Sequence, residues 1–464
     1  MLKVLFYADP ARLYDSFCPS WTVLRDHLFR FCGKALLASG QVEIKAVVSE
    51  IARWQAKKAE PEPGLELIEM SDADLRRIFP DCKSLSAMVL AFFNGKLDDG
   101  QMHVLADWFA ARLKGWSPDI VIAYPTQTLP LQRIFPKAFC LTMENGLFSR
   151  YPFRRTLRFD PIGFLHGFPR RFRDEIWNFP VDDGRRRAVR EFRDGLSARV
   201  RDYCCPIRSW WAELRRRFRH LVLCPVPSAN PYGESSFDDQ FLWLSDVMER
   251  VPQDVGVVIT FHDSVGSQLN ATLLEYFKAK HPNLIVYRFD DAISSQSLWV
   301  FPFVDAVLNC DSMTGLLGML FGARVVALDR TYSGWFADGE GIDSLPGVLA
   351  REPKDRTGMI YWLMTHFTVT EDRFDDATWY FSYFRDKLEA FRRDGVTFGL
   401  FGEVESFDVV AGFVLKSLDD FCAQVRKKVR SEGRLPMRAA RSAGEFLRSA
   451  GDSLVRLGLW KGCS

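Results

Sequence analysis

Residues 304–328, Val-Asp-Ala-Val-Leu-Asn-Cys-Asp-Ser-Met-Thr-Gly-Leu-Leu-Gly-Met-Leu-Phe-Gly-Ala-Arg-Val-Val-Ala-Leu, constrain the fold more than any other stretch. Ala306, Val307 and Leu308 form an apolar run long enough for a buried strand. Asp311 and Ser312 are helix-capping types, because a short side-chain oxygen can satisfy the free N–H groups of a first turn. Gly315 is expected to leave that turn bare. Leu316, Leu317, Met319, Leu320 and Phe321 continue the helix with apolar bulk, and Gly322 can end it. Residues 325–328 then predict a second buried strand. A strand–turn–helix–strand unit of this kind can hold phosphate at the helix N-terminus, through backbone donors and the helix dipole. The same letters also fit an ordinary βαβ unit with no ligand.

The rest of the chain repeats the alternation. Strands are expected at 3–7, 42–48, 119–124 and 138–142, with helical spacing at 21–39, 85–93 and 102–113. A second series starts at Leu221-Val-Leu-Cys224, with strands at 255–260 and 284–287 and helices at 237–250 and 268–280. Between the two lies an arginine-rich stretch, with Arg170-Arg171, Arg185-Arg186-Arg187 and Arg215-Arg216-Arg217. Length points the same way, since 464 residues exceed one ordinary domain. The expected class is α/β, with two Rossmann-like domains facing a cleft, the GT-B-like arrangement, and C-terminal crossing helices. The expected division is an N-terminal Rossmann-like domain at 1–182, linking helices at 183–220 and a nucleotide-binding Rossmann-like domain at 221–375. Crossing helices come next at 376–430, and a basic tail at 431–464.

Composition excludes several classes. No run approaches the roughly 18–20 apolar residues of a membrane span. The ten cysteines include no Cys-x-x-Cys pair, so they are expected to be reduced thiols in a cytoplasmic protein, with no zinc-type ligand spacing. A net charge of only +2, without a DNA-reading motif, argues against nucleic acid as a partner. The arginine belt could attract anionic donors, glycans or headgroups, or it could be helix surface paired with Asp and Glu. The tail interleaves Arg and Lys with Phe446, Leu447, Leu454, Val455, Leu457 and Trp460, a pattern that fits a helix lying on an anionic membrane. It also fits a helix docked on the protein, or a disordered end.

Three constellations carry chemistry. Met143-Glu-Asn-Gly-Leu-Phe-Ser-Arg150 and Leu157-Arg-Phe-Asp-Pro-Ile-Gly-Phe164 place Glu144 and Asp160 in loops at the edge of the first sheet. Two carboxylates suit glycosyl transfer, one as acid or base and the other facing an oxocarbenium-like centre. The other reading makes them loop acids that cap a turn or pair with Arg150, Arg154, Arg155 or Arg158. Tyr332 and Trp335 come after the second domain's strand, and could reach a phosphate oxygen and stack on a sugar ring; an anchored surface turn is the other reading. His262 ends a strand where it could meet a phosphate or a leaving group, or be a structural histidine, while His166 is the weaker histidine candidate.

The order of these pieces resembles the capsule-polysaccharide β-Kdo transferases, GT-B enzymes that use CMP-Kdo. Their Glu-Asp-Gly-Phe segment with a following Arg resembles Glu144-Asn145-Gly146-Leu147 and Arg150. Their Asp-x-x-Gly resembles Asp160-Pro161-Ile162-Gly163, and their Ser-x-x-Gly-x-Glu-Ala-Leu-x-x-Gly-Lys resembles the segment from Ser312 to Ala323. Their Phe-Tyr-x-x-x-Gly-Leu loop resembles the stretch from Thr331 to Trp335. The likeness is patchy and runs from about Leu141 to Leu345. It implies retaining transfer, with Asp160 as nucleophile and Glu144 as acid/base. His262, Asp311, Ser312, Met313, Thr314, Gly315 and Tyr332 would hold the donor phosphate, and Asn145, Arg150 and Trp335 would lie on the substrate side. No metal and no cofactor beyond the nucleotide-sugar donor is implied. The implied partners are an activated-sugar donor and a glycan or lipid-linked acceptor, and the C-terminal tail adds an anionic inner-membrane surface. Departures are Leu317 where the family has Glu, His262-Asp263 for His-Pro, and Asn145 for an acid. A nucleotide-sugar epimerase of the same fold and a non-catalytic nucleotide- or glycan-binding scaffold are the rival readings.

Overall fold

The computed structural model describes residues 1–11, 22–57, 64–124, 126–149, 152–204, 207–227, 239–261, 269–287, 296–310, 312–328 and 333–432. Two largely parallel sheets form the frame. The first is built from β1 (Leu2–Ala8), β2 (Val42–Ser49), β3 (Leu65–Met70), β4 (Ile120–Tyr124), β5 (Phe139–Asn145) and β6 (Thr156–Asp160). The second is built from β7 (His220–Pro225), β8 (Val255–Thr260), β9 (Leu284–Val286), β10 (Ala306–Asn309), β11 (Arg324–Ala327) and β12 (Gly339–Glu340). A short β13 (Val369–Thr370) returns to the far edge of the first sheet.

Both sheets share one topology. The first runs β3-β2-β1-β4-β5-β6-β13 and the second β9-β8-β7-β10-β11-β12. In each, the order starts with the third strand, returns to the first and then jumps outward, which is the dinucleotide-binding arrangement. All second-sheet pairs are parallel. In the first sheet β6 instead runs antiparallel to β5, and β13 antiparallel to β6. The two-domain α/β expectation therefore holds, with topology as its ground.

The central strands are apolar on both faces because helices cover both. Val4, Phe6 and Ala8 of β1 enter one core cluster, while Leu5 and Tyr7 enter another. In β7, Leu221 and Leu223 join the same cluster as Val4 and Phe6, so apolar packing is continuous from one sheet to the other.

Among the helices that pack on these sheets or on one another are α1 (Asp183–Tyr203), α2 (Arg208–Arg217), α3 (Thr314–Leu320), α4 (Thr357–His366), α5 (Ala377–Asp394) and α6 (Phe407–Glu432). Asp182 caps α1 by accepting from Arg185 N–H at 2.8 Å. Val189, Phe192, Leu196 and Val200 are its buried stripe, at helical spacing. Much of the arginine belt is spent on ion pairs: Arg186 with Asp355 (3.0 Å), Arg199 with Asp419 (2.8 Å) and Arg215 with Asp305 (2.6 Å). For these three arginines the paired-surface reading is the one the structure supports.

The chain crosses back to the first domain earlier than residue 376, since α4 packs on α1 and β13 pairs with β6. Gly358 is what lets α4 approach, because an added Cβ would collide with the Phe179 carbonyl oxygen. Gly358→Ala is expected to lower stability by ~1–3 kcal/mol, read as an earlier urea midpoint with an unchanged slope. A midpoint equal to wild type would refute this packing. Residues 433–464, which carry the basic tail, lie outside the described residues. Among the described residues no helix is long and apolar enough to cross a membrane.

Candidate functional site

Register brings four side chains to one face of the first sheet. Glu144 pairs across the strands with Arg158, and Thr142 with Asp160. Opposed residues of an antiparallel pair share a face, and so do positions two apart. Asp160 is thus the last residue of a strand and not a loop residue, and Glu144 also lies inside its strand. Asn145 falls on the other face and is exposed, with its Nδ2 3.5 Å from the Tyr124 hydroxyl. The structure therefore separates Asn145 from the two carboxylates.

The group is deeply buried: Glu144 is 3 % exposed, Arg158 4 %, Asp160 0 % and His166 0 %. Arg158 ion-pairs with Glu144 through Nη2 and meets His166 Nε2 through Nη1. Burial pushes the Glu144 carboxyl up. Arg158 and the backbone N–H groups of His166 and Leu165 pull the other way. Those two residues have φ of 62° and 60°, which non-glycine residues adopt only when surroundings enforce it. Burial also drives His166 well below its ordinary value, reinforced by the positive charges of Arg158 and Arg170. The imidazole is thus neutral and accepts from Arg158.

Asp160 is differently occupied. Its Oδ1 accepts from the backbone N–H groups of Ile162 (2.9 Å), Gly163 (3.1 Å) and Phe168 (3.0 Å), and its Oδ2 from Phe168 (2.9 Å). Burial and then the neighbouring Glu144 charge push its carboxyl up to about 7, against these hydrogen bonds. Phe168 is itself clamped among Trp362, Phe367 and Phe401, so the returning chain holds this loop from beneath. Both oxygens of Asp160 are committed to its own loop in this conformation. Attack on a sugar carbon would require these hydrogen bonds to release.

The second domain reaches the same place. Arg158 Nη1 lies 3.7 Å from Sδ of Met313, at the turn that opens α3. The His166 ring stands edge-on to Trp335 at 5.5 Å, and Trp177 Nε1 donates to the Trp335 carbonyl at 2.9 Å. Trp335 is 4 % exposed and also packs edge-on against Phe336, so the ring that the sequence offered to a sugar is spent on protein contacts. That stacking role is corrected accordingly.

The α3 turn is also less bare than its letters suggest. The Thr314 N–H donates to Ser312 Oγ at 3.2 Å, and the Gly315 N–H to Asn309 Oδ1 at 3.1 Å. The reason is local: Asn309 ends β10 directly beneath the turn and reaches its first free amide. Ser312 and Thr314 share a hydroxyl contact of 2.7 Å. A Cβ on Gly315 would sit 2.8 Å from Asn309 Cγ and 2.9 Å from Phe336 Cε2, so glycine is required for close approach. At the other end Gly322 has φ 85°, and the N–H groups of Ala323 and Gly322 donate to the carbonyls of Gly318 and Met319. That is the glycine stop expected from the sequence. Leu317 is half-buried and packs on the core, with no polar role.

His262, Asp311, Tyr332 and Arg150 lie outside the described residues. Two residues carry more of the site than their sequence context announces. Arg158 is one of four arginines near the acids, and His166 is a lone histidine before a glycine. The available signal was alternation in Thr-Leu-Arg-Phe-Asp, which faces Arg158 and Asp160 the same way. Among the described residues no three His, Cys, Asp or Glu side chains form a metal-ligand group.

No family profile and no curated protein matches the chain. Solved structures with partial likeness include KpsC, beta Kdo 2,7 transferase, from Thermosulfurimonas dismutans, at 12 % identity and TM-score 0.37. That match covers 71 % of this chain and 97 % of the other. UDP-GlcNAc 2-epimerase from Methanocaldococcus jannaschii is similar at 12 % identity and TM-score 0.26, over 77 % and 97 %. UGT89C1 from Arabidopsis thaliana, complexed with UDP, is similar at 11 % identity and TM-score 0.32, over 91 % and 99 %.

Proposed function

We propose that this chain is a glycosyltransferase of bacterial surface-polysaccharide assembly, retaining in its stereochemistry. In this reading an activated acidic sugar is transferred from a CMP-linked donor to a glycan or glycolipid acceptor. The observation that carries the reading is the contact of Arg158 with both Glu144 and Met313, which sets a buried carboxylate against the turn of the opposite lobe. A carboxyl group with its proton affinity raised by burial is the type of group that can deliver a proton to a leaving or attacking oxygen near neutral pH. Glu144 takes the acid/base role. The donor phosphate is assigned to the turn of residues 312–315 with His262, Asp311 and Tyr332, and the acceptor side to Arg150. Asp160 orders the loop that aims Leu165 and His166 at Glu144, and takes the nucleophile role once the hydrogen bonds to that loop release. The basic tail provides contact with an anionic membrane, on the cytoplasmic side.

A thermal-shift panel of CMP, UDP, GDP and dTDP tests the donor assignment. A ligand that binds only the folded state raises the melting point, by ~2.7 kcal/mol of stabilisation at a hundredfold excess over Kd. CMP is expected to stabilise most, and stabilisation by UDP or GDP alone overturns the CMP assignment. Incubation with nucleotide sugars and no acceptor separates the epimerase, which interconverts donors by itself.

A further inference from the structure

Two of the three guanidinium nitrogens of Arg158 hold weaker partners than a buried guanidinium can use. Nη2 is spent on Glu144, while Nη1 is shared between His166 Nε2 and a methionine sulfur, and Nε has no hydrogen-bond partner among the described residues. Sulfur is a poor acceptor, and a phosphate or carboxylate oxygen gives a shorter, charge-assisted bond. The side of Arg158 turned to Met313 is the side proposed for the donor. An anionic group arriving there meets a cation already oriented for it and held by one carboxylate from behind.

We infer, resting on the proposed donor site, that Arg158 is handed from Glu144 to the anionic group of the donor on binding, and that the lost ion pair loads Glu144 with the proton it uses as an acid. The charged groups facing Glu144 are Arg158 and Asp160, and the His166 ring meets the same guanidinium. Arg158 is the one cation among them, His166 is neutral, and Asp160 is a like charge only in its ionised form. Once the guanidinium serves the donor, burial favours the neutral carboxyl. The proton is taken from solvent onto a Glu144 oxygen, and no other bond forms or breaks. Arg158 is therefore a positioning residue that couples donor arrival to the charge of Glu144.

Infrared difference spectroscopy on the full-length protein at pH 7, with and without cytidine monophosphate, tests this. Binding is expected to add a protonated carboxylic-acid band in the wild type and in Asp160→Asn, and none in Glu144→Gln. Arg158→Met is expected to show the acid band before nucleotide is added and to bind the nucleotide about tenfold or more weakly. Arg158→Lys retains a cation and restores part of the nucleotide-induced band. Nucleotide binding without a new band, or a band lost in Asp160→Asn and kept in Glu144→Gln, overturns the handover and leaves the donor site standing. If no nucleotide of the panel binds, both fall.

Discussion

Glu144→Gln is expected to lower the transfer rate ~10²–10⁴-fold, the range that general acid–base groups supply. Nucleotide affinity should stay equal or rise, because the amide no longer competes for Arg158. That split between turnover and binding is the informative part. A merely structural Glu144 would weaken both together, through disorder of the strand pair that Glu144 and Arg158 close. The measurement is kcat with a CMP-linked donor beside a titration with cytidine monophosphate. Turnover near wild type contradicts the acid/base role. Equal losses in turnover and affinity assign Glu144 to packing.

A second large effect concerns stability against pH. Asp160 is pushed up to about 7 in the folded protein, whereas an unfolded aspartate ionises near ~3.9. Between those values the native state holds a proton that the unfolded chain has released. Stability from this group is therefore fully present below about pH 4 and lost as pH rises through 7, on the order of 4 kcal/mol in total. Burial of Glu144 acts in the same direction. Asp160→Asn mimics the protonated form, since Oδ1 takes three of the four backbone hydrogen bonds. Denaturant midpoints at pH 5 and pH 8 should therefore differ less for Asp160→Asn than for the wild type. Equal pH dependence of the two proteins would show that Asp160 is ionised at little cost.

The parallel frame is legible in the sequence because the central strands are apolar on both faces. Val4 to Ala8, Val121 to Ala123 and Leu221 to Cys224 need no partner information to be read as buried strands. β6 is hidden for the opposite reason. Arg158 and Asp160 break its apolar pattern, and they break it because they face Glu144 instead of a helix. Local rules fail where side chains are held for one another across a site. β3 escapes notice because Glu66 and Glu69 make a short edge strand look like surface. The α3 glycines are readable from composition, but Asn309 as a cap is not, since a strand end satisfies an amide six residues on only after the turn has formed. Trp335 misleads because an aromatic in a polar loop looks available until the His166 ring is found against it.

The place where Arg158 of the first lobe meets Met313 of the second is the proposed seat of the donor, and the donor and acid/base assignments depend on it. A crystal structure of the protein with cytidine monophosphate decides the matter. The expected result is a phosphate between the Arg158 guanidinium and the turn of residues 312–315, with the Arg158–Glu144 pair loosened. A phosphate bound away from Arg158, with that pair intact, would refute the assignment.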